Sequence, residues 1–343
     1  MPLTERERQV LEAVIETFVQ TAEPAGSRTV SKVLDLGLSP ATVRNTMSDL
    51  EEKGYLYHPH TSAGRIPTDL AYRAYVDSLM RLPPPAVSPS EDDQIRTELL
   101  GHSSAVDQVL QRAAQVLGVL TKELGVAVAP SLERAVLERL DLTQISSERL
   151  LLVLTLRSGV VRTIFVEVPS HMAAGVVAQV AVVLNERLAG LELREIRSTL
   201  SERLRDAGAG QEAGELLNIF VQEADGLFDV TATPAAGVVL GSAQLLAGQP
   251  EFASTTRLQS LMEVTERRDL LREALTRHRE GLTITIGGEH QDPKLAPFTL
   301  VTARYRVGPL AGVIGVLGPT RMPYDKIVAL VNHTSRLVGE LLA

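Results

Sequence analysis

The sequence has no cysteine and no tryptophan, and only six tyrosines and six phenylalanines among 343 residues. Without thiols there can be no disulfide, thiolate nucleophile, zinc ribbon or iron–sulfur cluster. Aromatics at 3% leave too little for a stacking platform on single-stranded nucleic acid. Long apolar runs are missing as well. The longest, Met172–Leu184, spans 13 residues and contains Gln179, short of the ~20 that a membrane span requires. The charged start MPLTERERQ lacks the apolar core of a secretory signal. A soluble chain, most simply cytoplasmic and without membrane contact, is the expectation. Positive charge is not in excess either. Lys and Arg number 34 against 42 Asp and Glu, a net −8 that argues against indiscriminate polyanion binding. Any contact with nucleic acid must therefore be local.

What remains is an ordinary globular balance, 44% hydrophobic and 22% charged, in a chain long enough for two or three domains at ~150 residues each. PPPAVSPSEDD at 83–93 reads as a linker, because three successive prolines stiffen the chain and its Pro/Ser/acidic remainder favours neither helix nor strand. Residues 1–82 form a unit of charge −2, leaving −6 to the rest. Beyond the linker, apolar spacing predicts a helix over 104–124. RLLLVLTL (149–156) and VVRTIFVEV (160–168) flank Ser158-Gly159 as a hairpin. A helix over 173–189 stops at Gly190, three strands lie at 283–287, 298–307 and 311–318, and a last helix runs from Pro323 to Leu342. Two strand clusters so far apart predict one sheet interrupted by an insertion. That places an α/β domain at 94–200 and 279–343 and the insert at 201–278.

The N-terminal unit is the most informative. Thr4-x-x-Glu7 is a capping box, with Val10, Leu11, Val14, Ile15, Phe18 and Val19 lining one face of the helix that follows. Ser27 caps a second helix, with Val30, Val33 and Leu34 inside. Ser39 caps a third, with Pro40 at its first position and Gly54 at its stop. The turn Leu36-Gly37-Leu38-Ser39 has helix-turn-helix length. In the third helix Val43, Met47 and Leu50 share the core face, while Thr42, Arg44, Asn45 and Ser48 lie on the flanks and opposite side. Arg and Asn suit guanine and adenine edges, and the first turns of a recognition helix reach the bases. A solvated helix face is the alternative; in the DNA-reading case Asp49, Glu51 and Glu52 must turn away from phosphates. Tyr55-Leu56-Tyr57 and Arg65-Ile66-Pro67 flank the polar loop HPHTSAG, so two strands directly follow the helix-turn-helix and make a winged helix. His60, Thr61, Ser62 and Arg65, with a flexible Gly64, are candidate wing contacts. Arg28 and Lys32, one helical turn apart, are candidate phosphate contacts or solvated surface. His58-x-His60 has no carboxylate before Asp69 to complete a metal site, and none is expected.

LTERERQVLEAVIETFVQTAEPAGSRTVSK, LSPATVRNTMSDLEEKGYLYHPHTSAGRIPTD and AYRAYVDSLM closely resemble the heat-inducible repressor HrcA family. IGGEH (286–290), LVTARYRVG and GVIGVLGPTRMPYDKIVALV resemble its C-terminal signature. The resemblance implies an α+β multidomain chain: an N-terminal winged helix-turn-helix, and a GAF-like α/β domain carrying an inserted dimerisation segment. It also implies a homodimer bound to an inverted-repeat operator in double-stranded DNA upstream of chaperone operons, with activity dependent on a GroEL-type chaperonin and no cofactor. Where the family usually has Asn this chain has His290, and Gly288 stands at an acidic or polar position. Leu70-Ala71 replaces a usual Lys-Gly, removing a possible phosphate contact.

Two other functions compete. A GAF-like domain could sense a small effector, although fold analogy alone places no ligand. An enzyme is suggested by Gly312-x-x-Gly315-x-x-Gly318, but this spacing lacks the Lys-Ser/Thr ending of a phosphate loop and sits in a β-branched run. Close packing in a buried strand accounts for these glycines, and no catalytic residue is expected.

Overall fold

The computed structural model describes residues 3–33, 37–60, 64–100, 106–130, 132, 134–207, 210–228, 237–277, 281–308 and 310–342. Their architecture is α+β, with sheets of two, five and three strands. The chain divides into two units. Residues 1–128, 238–304 and 313–338 make the first; 129–237, 305–312 and 339–343 make the second.

The first unit opens with α1 (Glu5–Thr21), α2 (Ser27–Val33) and α3 (Pro40–Glu52), then an antiparallel ribbon of β1 (Leu56–Tyr57) and β2 (Ile66–Pro67). The capping box forms: Glu7 N–H donates to Thr4 Oγ1 at 3.3 Å and Thr4 N–H donates to Glu7 Oε2 at 2.8 Å. Val10, Leu11, Val14 and Ile15 are buried, as are Val43, Met47 and Leu50 of α3. Val33, expected inside α2, is 50% exposed, because the seven-residue helix commits only Val30 to the core. Leu34 lies outside the described residues.

Lys53 Nζ, just beyond α3, donates to Glu7 Oε1 at 2.7 Å and ties α3 to α1. That bond, with the Thr4 amide, holds the Glu7 carboxyl at about 2, far below its ordinary 4.5. A depressed carboxylate stabilises the fold fully above its unfolded value, and the contribution disappears as pH falls from about 4.5 to about 2. Lys53→Met should therefore lower the thermal midpoint at neutral pH, and the gap from wild type should close across that window. A gap independent of pH would assign Lys53 to packing instead of charge.

After α4 (Asp69–Leu79), the expected linker is only partly one. Its second half is the first turn of α5 (Pro89–Leu99), where Ser88 caps the Glu91 amide and Pro89 takes the first helical position. Glu91 and Asp92 then reach Lys326 at 3.0 Å and His333 at 2.6 Å. The acidic pair thus fastens the helix instead of extending a spacer. α6 (Val106–Thr121) leads into β3 (Leu124–Val128), a strand buried along its whole length.

The second unit pairs β4 (Leu137–Ser146), β5 (Arg149–Leu156) and β6 (Val161–Glu167) into one antiparallel sheet. α7 (Ala174–Leu188), α8 (Leu193–Leu204), α9 (Gln211–Gln222) and α10 (Ala224–Phe228) share its core. Returning to the first unit, β7 (Val238–Leu240), α11 (Ala243–Ala247), α12 (Thr255–Glu266) and α13 (Arg268–Thr276) precede β8 (Leu282–Ile286), β9 (Thr299–Val307), β10 (Leu310–Gly318) and α14 (Tyr324–Leu342). The five-stranded sheet runs β7-β3-β10-β9-β8.

The single interrupted sheet is therefore corrected. The 149–168 hairpin pairs with β4 and not with the C-terminal strands. The boundaries move accordingly. Residues 201–237 fall in the second unit with the hairpin, while 238–278 belong to the first. The physical reason is the apolar face of the three-stranded sheet, which needs α7–α10 to cover it. The three glycines pack closely as expected. A Cβ on Gly315 would sit 2.1 Å from Val301 O, and one on Gly312 would sit 2.3 Å from the Tyr305 ring.

Candidate nucleic-acid interface

Beside the first turn of α2 and the middle of α3, Ala25 to Arg28, Arg44, Met47, Ser48, His58, Gly64 and Arg65 line a cleft of about 500 Å³. The ribbon reaches the helices through a third short pairing. Ala25 N–H donates to Arg65 O at 2.8 Å, and Arg65 N–H returns to Ala25 O at 2.9 Å. Gly64 makes that approach possible, since a Cβ there would lie 2.5 Å from the Pro24 and Ala25 carbonyl oxygens. Its function is close backbone packing, where flexibility was expected. Gly64→Ala should cost about 1–3 kcal/mol of overpacking, read as a lower urea midpoint; an unchanged midpoint would show that the ribbon yields freely.

Arg65 is only 12% exposed. One guanidinium nitrogen donates to Ser48 Oγ at 3.2 Å and lies 3.0 Å from Glu51 Oε2, and the other contacts His58 Nε2. Because arginine can only donate, His58 Nε2 accepts, which leaves the Nδ1 proton for Glu51 Oε1 at 2.7 Å. Burial raises the Glu51 carboxyl, but the His58 hydrogen bond and the Arg65 charge outweigh it and hold the group below its usual range. Glu51 thus turns toward the ribbon, and Arg65 joins the ribbon to α3. The sequence reading missed this triad; the seven-residue spacings of Glu51, His58 and Arg65 carry no periodic signal.

The remaining candidates separate into two sets. Ser39 caps α3 through the Thr42 amide at 3.1 Å, and its hydroxyl also meets Thr42 Oγ1 at 3.0 Å. Arg28, Lys32, Arg44 and Asn45 are exposed, and among the described residues their side chains form no hydrogen bond or ion pair. His60 is also exposed. Thr61 and Ser62 lie outside the described residues. The structure brings Arg28, Arg44, Ser48 and Arg65 to one cleft; Lys32, Ser39, Thr42, Asn45 and His60 do not line it. Leu70 is solvent-exposed on α4 and Ala71 is buried.

A family model described as the HrcA protein C terminal domain matches residues 107–328. The heat-inducible transcription repressor HrcA of Chlorobium phaeobacteroides (strain BS1) is 41% identical over 358 residues, covering 99% of each chain. The chain belongs to the HrcA family of heat-inducible transcription repressors. A second HrcA, from Carboxydothermus hydrogenoformans, is 35% identical across 99% of this chain and 98% of its own. A crystal structure of a hypothetical protein at 2.2 Å resolution shares the fold, with a TM-score of 0.67, 23% identity and 99% coverage of both chains. HrcA proteins are repressors of transcription and not enzymes, in keeping with the packing role of the glycine triplet. Among the described residues no helix is long and apolar enough to cross a membrane.

Proposed function

We propose that α1–α3 and the ribbon form a winged helix-turn-helix that binds an inverted-repeat operator upstream of chaperone genes and represses their transcription. The observation that carries this reading is a set of exposed polar side chains on α2 and α3, Arg28, Lys32, Arg44 and Asn45, which spend no hydrogen bond or ion pair among the described residues, with Arg28 and Arg44 lining the cleft. Arg44 and Asn45, in the first turns of α3, are matched to base edges. Arg28 and Lys32 are matched to phosphates. Arg65 and Ser48 act one step back, by setting the angle between ribbon and α3. The α/β body is assigned as the GAF-like domain.

A unit of charge −2 gains little from general attraction to DNA, so tight binding requires two copies. The exposed face of the three-stranded sheet supports a homodimer. Phe165 is 62% exposed, Val161 and Ile145 share its solvent side, and Leu151 stands opposite Phe165 in the register. Dependence on a GroEL-type chaperonin follows from the family resemblance and completes the proposal. Footprinting purified protein, with and without GroEL-type chaperonin, on DNA upstream of the chaperone genes tests both parts. Protection of two symmetric half-sites is expected, and absence of protection on any such region would refute it.

A further inference from the structure

The segment Gly318-Pro319-Thr320-Arg321-Met322 joins β10 to α14 and takes no part in the interface described above. It is packed into place from both ends. A Cβ on Gly318 would lie 2.4 Å from Glu123 Oε2 and 2.5 Å from Met322 Sδ. Tyr324, fully buried, donates its hydroxyl to Thr320 O at 2.8 Å. The one long side chain that leaves this turn is Arg321, 14% exposed. Its guanidinium grips both carboxylate oxygens of Glu251, the second at 2.9 Å, and its remaining nitrogen donates to Val19 O at 2.7 Å.

Val19 belongs to the last turn of α1, where backbone carbonyls have no partner within the helix. The α1 helix has no basic residue of its own in that turn, so the negative end of its dipole lacks a local cation. Arg321 supplies both the hydrogen-bond donor and the charge from the far end of the sequence. Nearby, burial pushes the Glu123 carboxyl up to about 8, against the opposing pull of Gln249 and Arg321. Glu251 is the acidic partner whose two oxygens orient the guanidinium. Further contacts join the same bodies. Tyr72 and Tyr75 of α4 pack tilted and edge-on against Tyr324, with ring centroids 5.8 and 6.4 Å away. Arg73 donates to Ile284 O at 2.9 Å, and Asp69 accepts from Gly288 N at 3.1 Å.

We propose that Arg321 is a positioning residue for operator binding: it caps α1 from the α/β body and thereby fixes the orientation of the DNA-reading helices. Any shift of α1 passes to α3 through the Glu7–Lys53 bond. Operator affinity is then lost when this pin opens, although no DNA-contacting residue has changed. This rests on the DNA-binding reading above.

The test uses the full-length chain with Arg321→Met, Arg321→Lys and Glu251→Gln. Amide hydrogen exchange without DNA, and operator titration, are measured on each. In Arg321→Met, exchange in the last turn of α1 and the following residues should rise by about tenfold or more, as expected when a local contact is lost without global unfolding. β3 and β10 should keep wild-type protection, and operator affinity should fall. Glu251→Gln should act in the same direction. Arg321→Lys keeps the charge but not the fork, and should fall between wild type and methionine. Unchanged exchange in α1 would overturn the proposal. So would an equal loss of protection across the sheet, or faster α1 exchange with unaltered operator affinity. Failure of the wild-type protein to bind any operator would count against the DNA-reading proposal, whereas the exchange measurement judges the pin without DNA.

Discussion

Joint replacement of Arg44 and Asn45 by alanine is expected to abolish discrimination between operator and unrelated DNA, with each change costing ~1–3 kcal/mol. Both side chains leave α3 within its first two turns, are exposed, and spend no hydrogen bond on the protein among the described residues. Their removal should therefore leave the fold intact. Each single variant should relax base preference at one position per half-site, read by binding to a set of singly substituted operators. Lys32→Ala should behave differently, weakening all sequences alike and reducing the salt slope by about one. Arg65→Ala should differ again. Its guanidinium is committed to Glu51, His58 and Ser48, so its loss should loosen the ribbon without moving preference at any one base. Unchanged affinity and preference in Asn45→Ala would show that α3 presents another face to DNA.

What could be read from the sequence depended on how local the determining contact was. The Thr4–Glu7 box and the burial of Val43, Met47 and Leu50 are decided within a few residues of chain, and the structure agrees with both. The hairpin around Gly159, which takes φ +82°, is equally local. Failures came where distance or burial removed the signal. β3, LGVAV, is buried at every position and so lacks the alternation that marks a half-exposed strand. β4, LERLDLTQIS, carries charges at three of its first five positions because much of it faces solvent. Without β4 the hairpin had no partner, and its assignment to the wrong sheet followed. The Ser88-x-x-Glu91 capping box lies inside the expected linker and opens α5 directly after its prolines. Within the candidate interface, residue types and helix phase were legible; the engagement of Arg65 was not, since it depends on Glu51 and His58 meeting across a ribbon.

The proposed dimer should be broken on the solvent side of the three-stranded sheet. In the second unit, Leu150, Leu152, Leu154 and Leu156 of β5 face the helices, so Leu151 and Val153 face the other side beside Phe165 and Thr163. The apolar side chains there, Ile145, Leu151, Val153, Val161 and Phe165, share the face with the charged Arg139, Asp141, Arg149 and Glu167, and a second copy related by two-fold symmetry would bury the apolar ones on both partners alike. Phe165→Glu places a charge on that face, on the edge strand β6, without touching the helical core. It should convert the dimer to a folded monomer by light scattering. On the proposal that each reading head alone binds weakly, loss of the second head should lower operator affinity by about 10²–10⁴-fold, and the two half-sites, ~34 Å or a multiple apart, should no longer be protected together. Val182→Glu is the matched control, because Val182 is similarly exposed but sits on α7, whose other face packs on the core; it should remain a dimer with full affinity. A Phe165→Glu protein that is still dimeric would move the interface off this sheet, and the exposed Val119 on α6 would become the next residue to charge.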